Sequence, residues 1–192
     1  MYTPKPFEIT KTKEMLAFIQ THSFGQLISN VEGRLFSSHI PFLVDDSGNS
    51  LVCHVAKKNP QWQSIEKQEV LVTFQGAHDY ISPSWYESPG VPTWNYQAVH
   101  VYGEAKIVSD MNLLRNIVDE MTYKHEALLP EPWKPEYQEG LLQAIVGIEI
   151  EIKEIQGKYK LSQNRPENDR KRIIDELKSS GAVTLSKAMN TE

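Results

Sequence analysis

The sequence predicts a mainly β protein with peripheral helices, arranged as an antiparallel barrel of about six strands. Short segments alternate apolar and polar residues, most clearly from Val146 to Ile152. Turn-rich stretches such as Asp45–Asn49 separate these segments, which is typical of antiparallel hairpins. Segments with a helical period are few and lie outside the run of strands. A twisted open sheet is the alternative arrangement.

The first half of the chain is predicted to hold one helix and four strands. Thr10 is suited to cap a helix whose apolar stripe is Met15, Leu16, Phe18 and Ile19. The predicted strands follow at 25–30, 35–44, 50–55 and 69–75. A turn centred on Ser47 would pair His39 with Val55, so that His39 and His54 face opposite sides of the hairpin.

The rest of the chain adds two short helical turns, two strands and two helices. Asn59-Pro60 and Ser82-Pro83 each join an N-cap residue to a proline, which predicts short helical turns. Strand 93–108 contains Gly103, which indicates a bulge or a close backbone approach. Asp110 begins an amphipathic helix with Leu113, Leu114, Ile117, Val118 and Met121 inside, whereas the three prolines of 129–135 predict a loop. After the strand around 146–152, Pro166 and Gly181 bracket a last helix with Ile173, Ile174 and Leu177 inside.

The 192 residues are enough for one domain and a small appendage. We expect a split-barrel domain at 1–156 and a C-terminal helical extension at 157–192 packed on the same domain. No run approaches the roughly 20 apolar residues that span a bilayer, and the N-terminus lacks an apolar secretory core. The single cysteine, Cys53, has no partner for an internal disulfide. These features predict a cytoplasmic protein without a membrane partner.

The formal net charge of −5 argues against a main surface that grips nucleic acid. The charge is uneven, however: residues 119–154 hold nine acidic residues and three lysines, and residues 157–180 hold seven basic and four acidic residues. A solvated helix face is the commoner cause of such asymmetry. The DNA-facing candidate is the last helix, through Arg170, Lys171 and Arg172.

Several chemistries are disfavoured. The six histidines form neither HExxH nor an HxH pair, so no metal site is predicted. There is no GxSxG elbow and no glycine-rich phosphate loop, and Cys53 lies in mid-strand rather than at a helix start. We therefore predict no catalytic residue.

Two aromatic segments and several lysines point to a flat ligand with a phosphate tail. The segments 79–86 and 91–96 offer rings with polar neighbours, which suit a planar heteroaromatic ligand, although packing of strand ends is the alternative. Lys57 and Lys58 follow a strand directly. Lys158, Lys160 and Arg165 flank residues 161–164, and such cations can bind phosphate without a glycine loop.

These residues resemble the PaiB family of FMN-binding split-barrel proteins, described as negative transcriptional regulators of protease synthesis and sporulation. The resemblance covers nearly the whole chain, in order. It rests on Ser38-His-Ile-Pro-Phe42, His54-Val-Ala-Lys-Lys-Asn-Pro-Gln-Trp62, Tyr80-Ile-Ser-Pro-Ser-Trp-Tyr86, Val91-Pro-Thr-Trp-Asn-Tyr96 with His100, and Lys160-Leu-Ser-Gln-Asn-Arg165. One departure is Lys57-Lys58, where an arginine-containing segment is expected.

The resemblance implies a six-stranded split barrel that forms a homodimer with FMN at the subunit interface. It makes Lys57 and Lys160 the candidates for the phosphate. The rest of the flavin site would be lined by Ser38, His39, His54, Tyr80, Ser82, Trp94, Asn95 and Tyr96.

The function expected on this basis is that of a cytoplasmic FMN-binding regulator. A flavin-dependent oxidoreductase is a catalytic alternative. Haem binding or degradation, with His39, His54 or His100 on the iron, is a third. A barrel with an empty pocket that acts only by interaction is a fourth.

Overall fold

A computed structural model describes residues 1–135, 137 and 139–190, and it confirms a mainly antiparallel β protein with a few helices. The eight strands are β1 (Glu8–Ile9), β2 (Phe24–Val31), β3 (Arg34–Pro41), β4 (Leu43–Val44), β5 (Ser50–Ala56), β6 (Glu69–Ile81), β7 (Thr93–Val108) and β8 (Ile145–Lys160). The α-helices are α1 (Thr12–Thr21), α2 (Met111–Glu126), α3 (Glu139–Leu142), α4 (Glu167–Ser179) and α5 (Val183–Asn190). Short 3₁₀ helices occupy Lys5–Phe7, Pro60–Ser64 and Pro83–Trp85.

The predicted six-stranded barrel differs from the structure in its strand count, and the sheet of the structure is not closed. The strands form one eight-stranded sheet in the order β3-β2-β6-β7-β8-β5-β4, and β1 pairs with β8 outside this path. The two additional strands arise because β1 was not predicted and because the predicted strand 35–44 divides into β3 and β4. The path ends at β3 and β4, so the sheet is open.

The division between β3 and β4 lies at Phe42, where the chain changes its pairing partner. β3 pairs with β2 along its whole length, with His39 opposite Gln26. Phe42 is buried, and its N–H donates to Ser23 O at 2.8 Å. Only β4 then pairs with β5, with Leu43 opposite Val52. The predicted pairing of His39 with Val55 is therefore wrong, because the alternation of residue types continues through Phe42 while the hydrogen-bond partner does not.

The chain forms two compact units by its internal contacts. Unit 1 comprises Met1–Met15, Gln75–Val99 and Gln156–Glu192; unit 2 comprises Leu16–Phe74 and His100–Ile155. The core of unit 1 includes Ile81, Leu161, Ile173, Leu177 and Leu185, all at most 1 % exposed. The core of unit 2 includes Leu27, Phe42, Leu51, Ile65, Phe74, Ile148 and Ile150, also at most 1 % exposed.

Helix α2 forms a second cluster within unit 2. Asp110 is its N-cap, as predicted, and accepts hydrogen bonds from the N–H groups of Asn112 and Leu113. Its inner face packs Leu114, Ile117 and Val118 against Val108 and Leu142. Leu113 was predicted to be inside but is 46 % exposed, because it lies at the edge of the stripe.

In the part of the chain that the structure describes, no helix has both the length and the apolar character needed to span a bilayer.

Two further predicted helix caps are confirmed, whereas that of Thr10 is not, because α1 begins at Thr12 and Lys11 precedes it. The side chain of Asn59 accepts from Gln61 N–H at the start of the 60–64 helix, and that of Ser82 accepts from Ser84 N–H at the start of the 83–85 helix. Ile173, Ile174 and Leu177 form the buried face of α4 as predicted. Helix α5 was not predicted.

Gly103 is needed because β7 passes very close to β8 within unit 2. A Cβ atom at this position would lie 2.4 Å from the carbonyl oxygen of Glu151 and 2.7 Å from the Ile150 side chain. Backbone atoms cannot withdraw as a flexible side chain can. The close backbone approach predicted for this glycine is confirmed.

We expect Gly103→Ala to lower the free energy of unfolding by roughly 1–3 kcal/mol, because the added methyl group overpacks the β7–β8 contact. Urea unfolding followed by circular dichroism measures the change. Gly140→Ala is the matched control, since no heavy atom lies within 4 Å of a Cβ there. Equal unfolding midpoints for the two variants would contradict this account of Gly103.

Candidate functional site

The ten residues predicted to form the site are divided between the two units. Unit 1 holds Tyr80, Ser82, Trp94, Asn95, Tyr96 and Lys160, and unit 2 holds Ser38, His39, His54 and Lys57. Each group is described within its own unit.

Lys160 is the most perturbed cation of unit 1. Its Nζ donates to Trp94 O at 2.6 Å and to Thr93 Oγ1. Burial lowers the pKa of Lys160, and the positive charges of Lys158 and Arg165 lower it further. The two oxygen acceptors of Lys160 are uncharged, so its ammonium group sits in a positive field without a carboxylate to balance it.

A small pocket of about 100 Å³ lies in front of this ammonium group. None of its eight lining residues carries a carboxylate, and most of them can donate hydrogen bonds. Such a pocket is smaller than the roughly 300–1,000 Å³ typical of whole small-molecule ligands, so it suits a compact anion such as a phosphate group. The lining residues are Tyr86, Val91, Thr93, Asn95, Lys160, Ser162, Asn164 and Arg165.

The other two cations are fixed by aromatic rings and carbonyl groups. Lys158 is buried, with its Nζ 5.1 Å from the centroid of the Tyr96 ring and 3.0 Å from Tyr2 O. The guanidinium of Arg165 lies 4.4 Å from the centroid of the Tyr86 ring and donates to Pro89 O at 3.1 Å. Ring faces and carbonyls stabilise these charges without neutralising them, although Asp169 lies close enough to Arg165 to interact with its charge.

The turn after β8 places Arg165 back toward Lys160. Ser162 adopts a positive φ of 63°, which reverses the chain. Gln163 stabilises the turn by accepting from Leu161 N–H at 2.7 Å and donating to Tyr159 O at 2.6 Å. Within the same unit, the fully buried Asn95 donates to Ser162 Oγ at 2.9 Å.

Two of the predicted aromatic residues form an exposed pair. The rings of Tyr80 and Trp94 have centroids 6.1 Å apart and planes inclined by 69°, and the residues are 40 % and 54 % exposed. Large exposed rings at the ends of two strands provide a surface for a planar ligand. The Ser82 hydroxyl, by contrast, caps the 83–85 helix and contacts Ser84 Oγ at 2.7 Å.

Asp169, on the first turn of α4, holds the 87–88 segment. Its carboxylate accepts from Glu87 N–H at 2.7 Å and from the N–H and hydroxyl of Ser88. The hydrogen bond from the Ser88 hydroxyl is the main cause that lowers the pKa of Asp169, followed by that from the Glu87 N–H. Arg165 therefore contacts this loop at Pro89 while Asp169 binds it at 87–88.

The four predicted residues of unit 2 lie on β3, β5 and the segment that follows β5. Asn59 Nδ2 donates to Ser38 Oγ at 2.8 Å, which ties the cap of the 60–64 helix to β3. His39 is exposed, with its ring 6.5 Å from that of Phe24. His54 is half-buried, and burial lowers its pKa. The Lys57 side chain is exposed, while its backbone carbonyl accepts from Trp62 Nε1 at 2.9 Å.

Metal and thiol chemistry find no support among the residues described. No group of three or more histidine, cysteine, aspartate or glutamate side chains within the described ranges could hold a metal ion. Cys53 is buried, and burial raises the pKa of its thiol, which keeps it protonated and unreactive.

The pocket contains residues that the list of ten omitted. Arg165 was recognised as part of a scattered group of cations, and Thr93 and Ser162 stand beside predicted residues in the sequence. The sequence did not single out Asp169, because an acidic residue in the first turn of a helix is commonplace.

Comparisons with known proteins show the family to which this chain belongs. A family model described as "Putative FMN-binding domain" matches residues 1–154. The protein named protease synthase and sporulation protein PAI 2 of Bacillus subtilis is 41 % identical over 186 residues, covering 93 % of this chain and 90 % of the relative.

Solved structures share the split-barrel fold. The flavocytochrome Anf3 from Azotobacter vinelandii has a TM-score of 0.63 at 18 % identity, covering 85 % of this chain and 74 % of that one. The FAD and heme binding protein from Mycobacterium smegmatis has a TM-score of 0.62 at 14 % identity, covering 80 % of this chain and 73 % of that one. At these identities the likeness concerns the fold alone.

We expect Asp169→Asn to lower the urea unfolding midpoint at neutral pH, because an amide cannot accept from all three donors. The contribution of a carboxylate with a lowered pKa is complete above its usual value of 3.8 and is lost as the pH falls through the lowered value. The gap between wild type and variant should therefore shrink in acid. Asp175→Asn, which changes an exposed residue of the same helix, is the control; an acid-independent gap would show that Asp169 acts by packing.

Proposed function

Because this chain belongs to the FMN-binding domain family, we propose that it holds the FMN phosphate in the pocket around Lys160 and acts as a negative transcriptional regulator of the PaiB type. The observation that supports the pocket is a space lined by Lys160 and Arg165 and by no carboxylate, with the charge of Lys158 also acting on Lys160. An uncompensated cation in a partly desolvated site is stabilised by a bound anion. A phosphate ester meets that requirement.

The residues of unit 1 suit a flavin mononucleotide both by their positive charge and by their aromatic rings. Lys160 and Arg165 would bind the phosphate, and the exposed faces of Tyr80 and Trp94 would pack against the ring system. FMN, when bound, supplies one- and two-electron redox chemistry. The assignment of Ser38, His39, His54 and Lys57 to the flavin stays a prediction, and so do the roles of Ser82, Asn95 and Tyr96.

A route from the phosphate pocket to helix α4 supports a regulatory role. Arg165 lines the pocket and donates to Pro89 O, while Asp169 of α4 binds the neighbouring backbone at 87–88. A phosphate that draws Arg165 inward would weaken its contact with the 86–90 loop, which α4 also holds. The name of the Bacillus subtilis relative, a protease synthase and sporulation protein, is consistent with a regulatory role.

The basic residues of α4 differ in their availability to DNA. Arg170 donates to Met189 O at 3.3 Å and its Nε atom is buried, so it anchors α5. Lys171 pairs with Glu167 at 2.6 Å and Arg172 with Glu87 at 3.3 Å, both on the surface. Exposed ion pairs contribute only about 0–1 kcal/mol, so Lys171 and Arg172 can exchange these partners for phosphates.

Homodimerisation and a cytoplasmic location belong to the same proposal. The dimer rests on the resemblance to PaiB-type proteins, and sedimentation equilibrium of the purified chain tests it. A mass equal to one chain would remove the subunit-interface flavin site. The location rests on the sequence features alone.

We expect Lys160→Ala to weaken FMN binding by about tenfold, because it removes a charge-assisted contact to the phosphate. The double variant Lys57→Ala/Lys160→Ala should bind FMN no more tightly than Lys160→Ala does. Flavin fluorescence titration of the apoprotein measures the dissociation constant. Lys13→Ala, at an exposed position of α1, is the control for loss of a lysine elsewhere.

The single variants separate the two candidate lysines. Full FMN affinity in Lys160→Ala together with a loss in Lys57→Ala would move the phosphate to the unit 2 group. Full affinity in the double variant would exclude both lysines.

We expect the double variant Lys171→Glu/Arg172→Glu to lose most of the salt-dependent binding to promoter DNA, because two phosphate contacts become repulsive. Electrophoretic mobility shifts at several salt concentrations measure this loss. Lys178→Glu, at the far end of α4 and paired with Asp175, controls for net charge. DNA binding by the double variant equal to that of wild type would remove Lys171 and Arg172 as the DNA contact, and an equal loss in both variants would indicate an effect of net charge alone.

A further inference from the structure

A larger cavity, of about 430 Å³, lies within unit 2 and is separate from the pocket around Lys160. Its volume is in the range of small-molecule sites, roughly 300–1,000 Å³. Its walls combine apolar, aromatic and a few polar groups. They are formed by His54, Val118, Met121, Thr122, His125, Glu126, Trp133 and Tyr137.

One face of α2 organises these walls. Val118, Thr122 and Glu126 are spaced four residues apart and so share a face of the helix. The Thr122 hydroxyl donates to Val118 O at 2.8 Å and lies 2.5 Å from the Tyr137 hydroxyl. Glu126 Oε2 accepts from Trp133 N–H at 2.6 Å. The helix thereby positions both aromatic residues of the loop that follows it.

The two rings and the carboxylate make a site for positive charge. The Trp133 and Tyr137 ring centroids are 5.6 Å apart and the ring planes are inclined by 62°, so they form two walls of a corner. Trp133 is 49 % exposed, which leaves part of its surface open to a ligand. Ring faces attract cations, and aromatic corners of this kind bind ammonium groups.

The charges around the cavity favour a cation over an anion. Glu126 is the one permanently charged group among the eight lining residues. His54 contributes no opposing charge, because burial lowers its pKa and keeps the imidazole neutral. The segment 119–154, which supplies six of the eight lining residues, holds nine acidic residues against three lysines. The Glu126 carboxylate in the wall raises the local concentration of cations.

We propose that this cavity binds an organic cation: an ammonium group carried on a small apolar body. The ammonium group would lie against the Trp133 and Tyr137 rings and the Glu126 carboxylate. The apolar body would pack on Val118 and Met121. None of its contacts involves the cations of unit 1, although His54 is also one of the residues predicted to line the flavin site.

The test compares matched cationic and neutral probes on the purified full chain by isothermal titration calorimetry. The pairs are choline with its uncharged carbon isostere dimethylbutanol, and butylamine with butanol. We expect one cation or both to bind saturably and about tenfold more tightly than the matched neutral compound. Flavin absorbance of the same sample reports FMN content independently, so failure at one site is distinguishable from failure at the other.

Two variants and one control assign the binding to this cavity. Glu126→Gln keeps the shape and the acceptor for Trp133 N–H but removes the charge, and Trp133→Leu removes one ring; each should weaken cation binding about tenfold. Glu131→Gln removes an exposed acidic residue that does not line the cavity, and should bind as wild type does. The proposal is overturned if the neutral probes bind as tightly as the cations, if no probe binds, or if both cavity variants retain full affinity.

Discussion

The uncompensated positive charge around Lys160 is the constraint on which the rest of unit 1 depends. Burial and two neighbouring cations both oppose the charged form of this lysine, and they lower its pKa. The cations are stabilised by carbonyl groups, a threonine hydroxyl and ring faces, which do not neutralise their charge. A carboxylate in the same place would be a simpler stabiliser, but it would fill the space an anionic ligand needs.

The one buried carboxylate nearby is used for a different purpose. Asp169 accepts three hydrogen bonds from the 87–88 segment instead of pairing with Lys160. The loop that contains Tyr86 and Pro89 is thus held by α4 on one side and by Arg165 on the other. An anion that competes for Arg165 changes the balance between these contacts. This coupling is the physical basis of the regulatory role proposed for α4.

Local patterns predicted most elements of this protein, because caps and alternation act over a few residues. Asn59, Ser82 and Asp110 cap helices as their sequence contexts indicate. The break at Phe42 was missed because the strand alternation continues across it, although Pro41, which has no N–H to donate, marks a limit of pairing in the sequence. The pocket shows the same limit: Lys160 and Arg165 are close in sequence, but their grouping with Thr93 and Asn95 depends on how β7 and β8 lie within unit 1.

The uneven charge of the sequence follows the division of the chain into two units. The acidic segment 119–154 belongs to unit 2, and the basic segment 157–180 belongs to unit 1. Each unit places charge of one sign around its own cavity: cations around the space at Lys160, and a carboxylate with two rings around the space at Glu126. Since a protein field acts on ligands of opposite sign, the two proposed sites would select different molecules. A near-neutral surface would not distinguish a phosphate from an ammonium group, whereas charge separated in this way would.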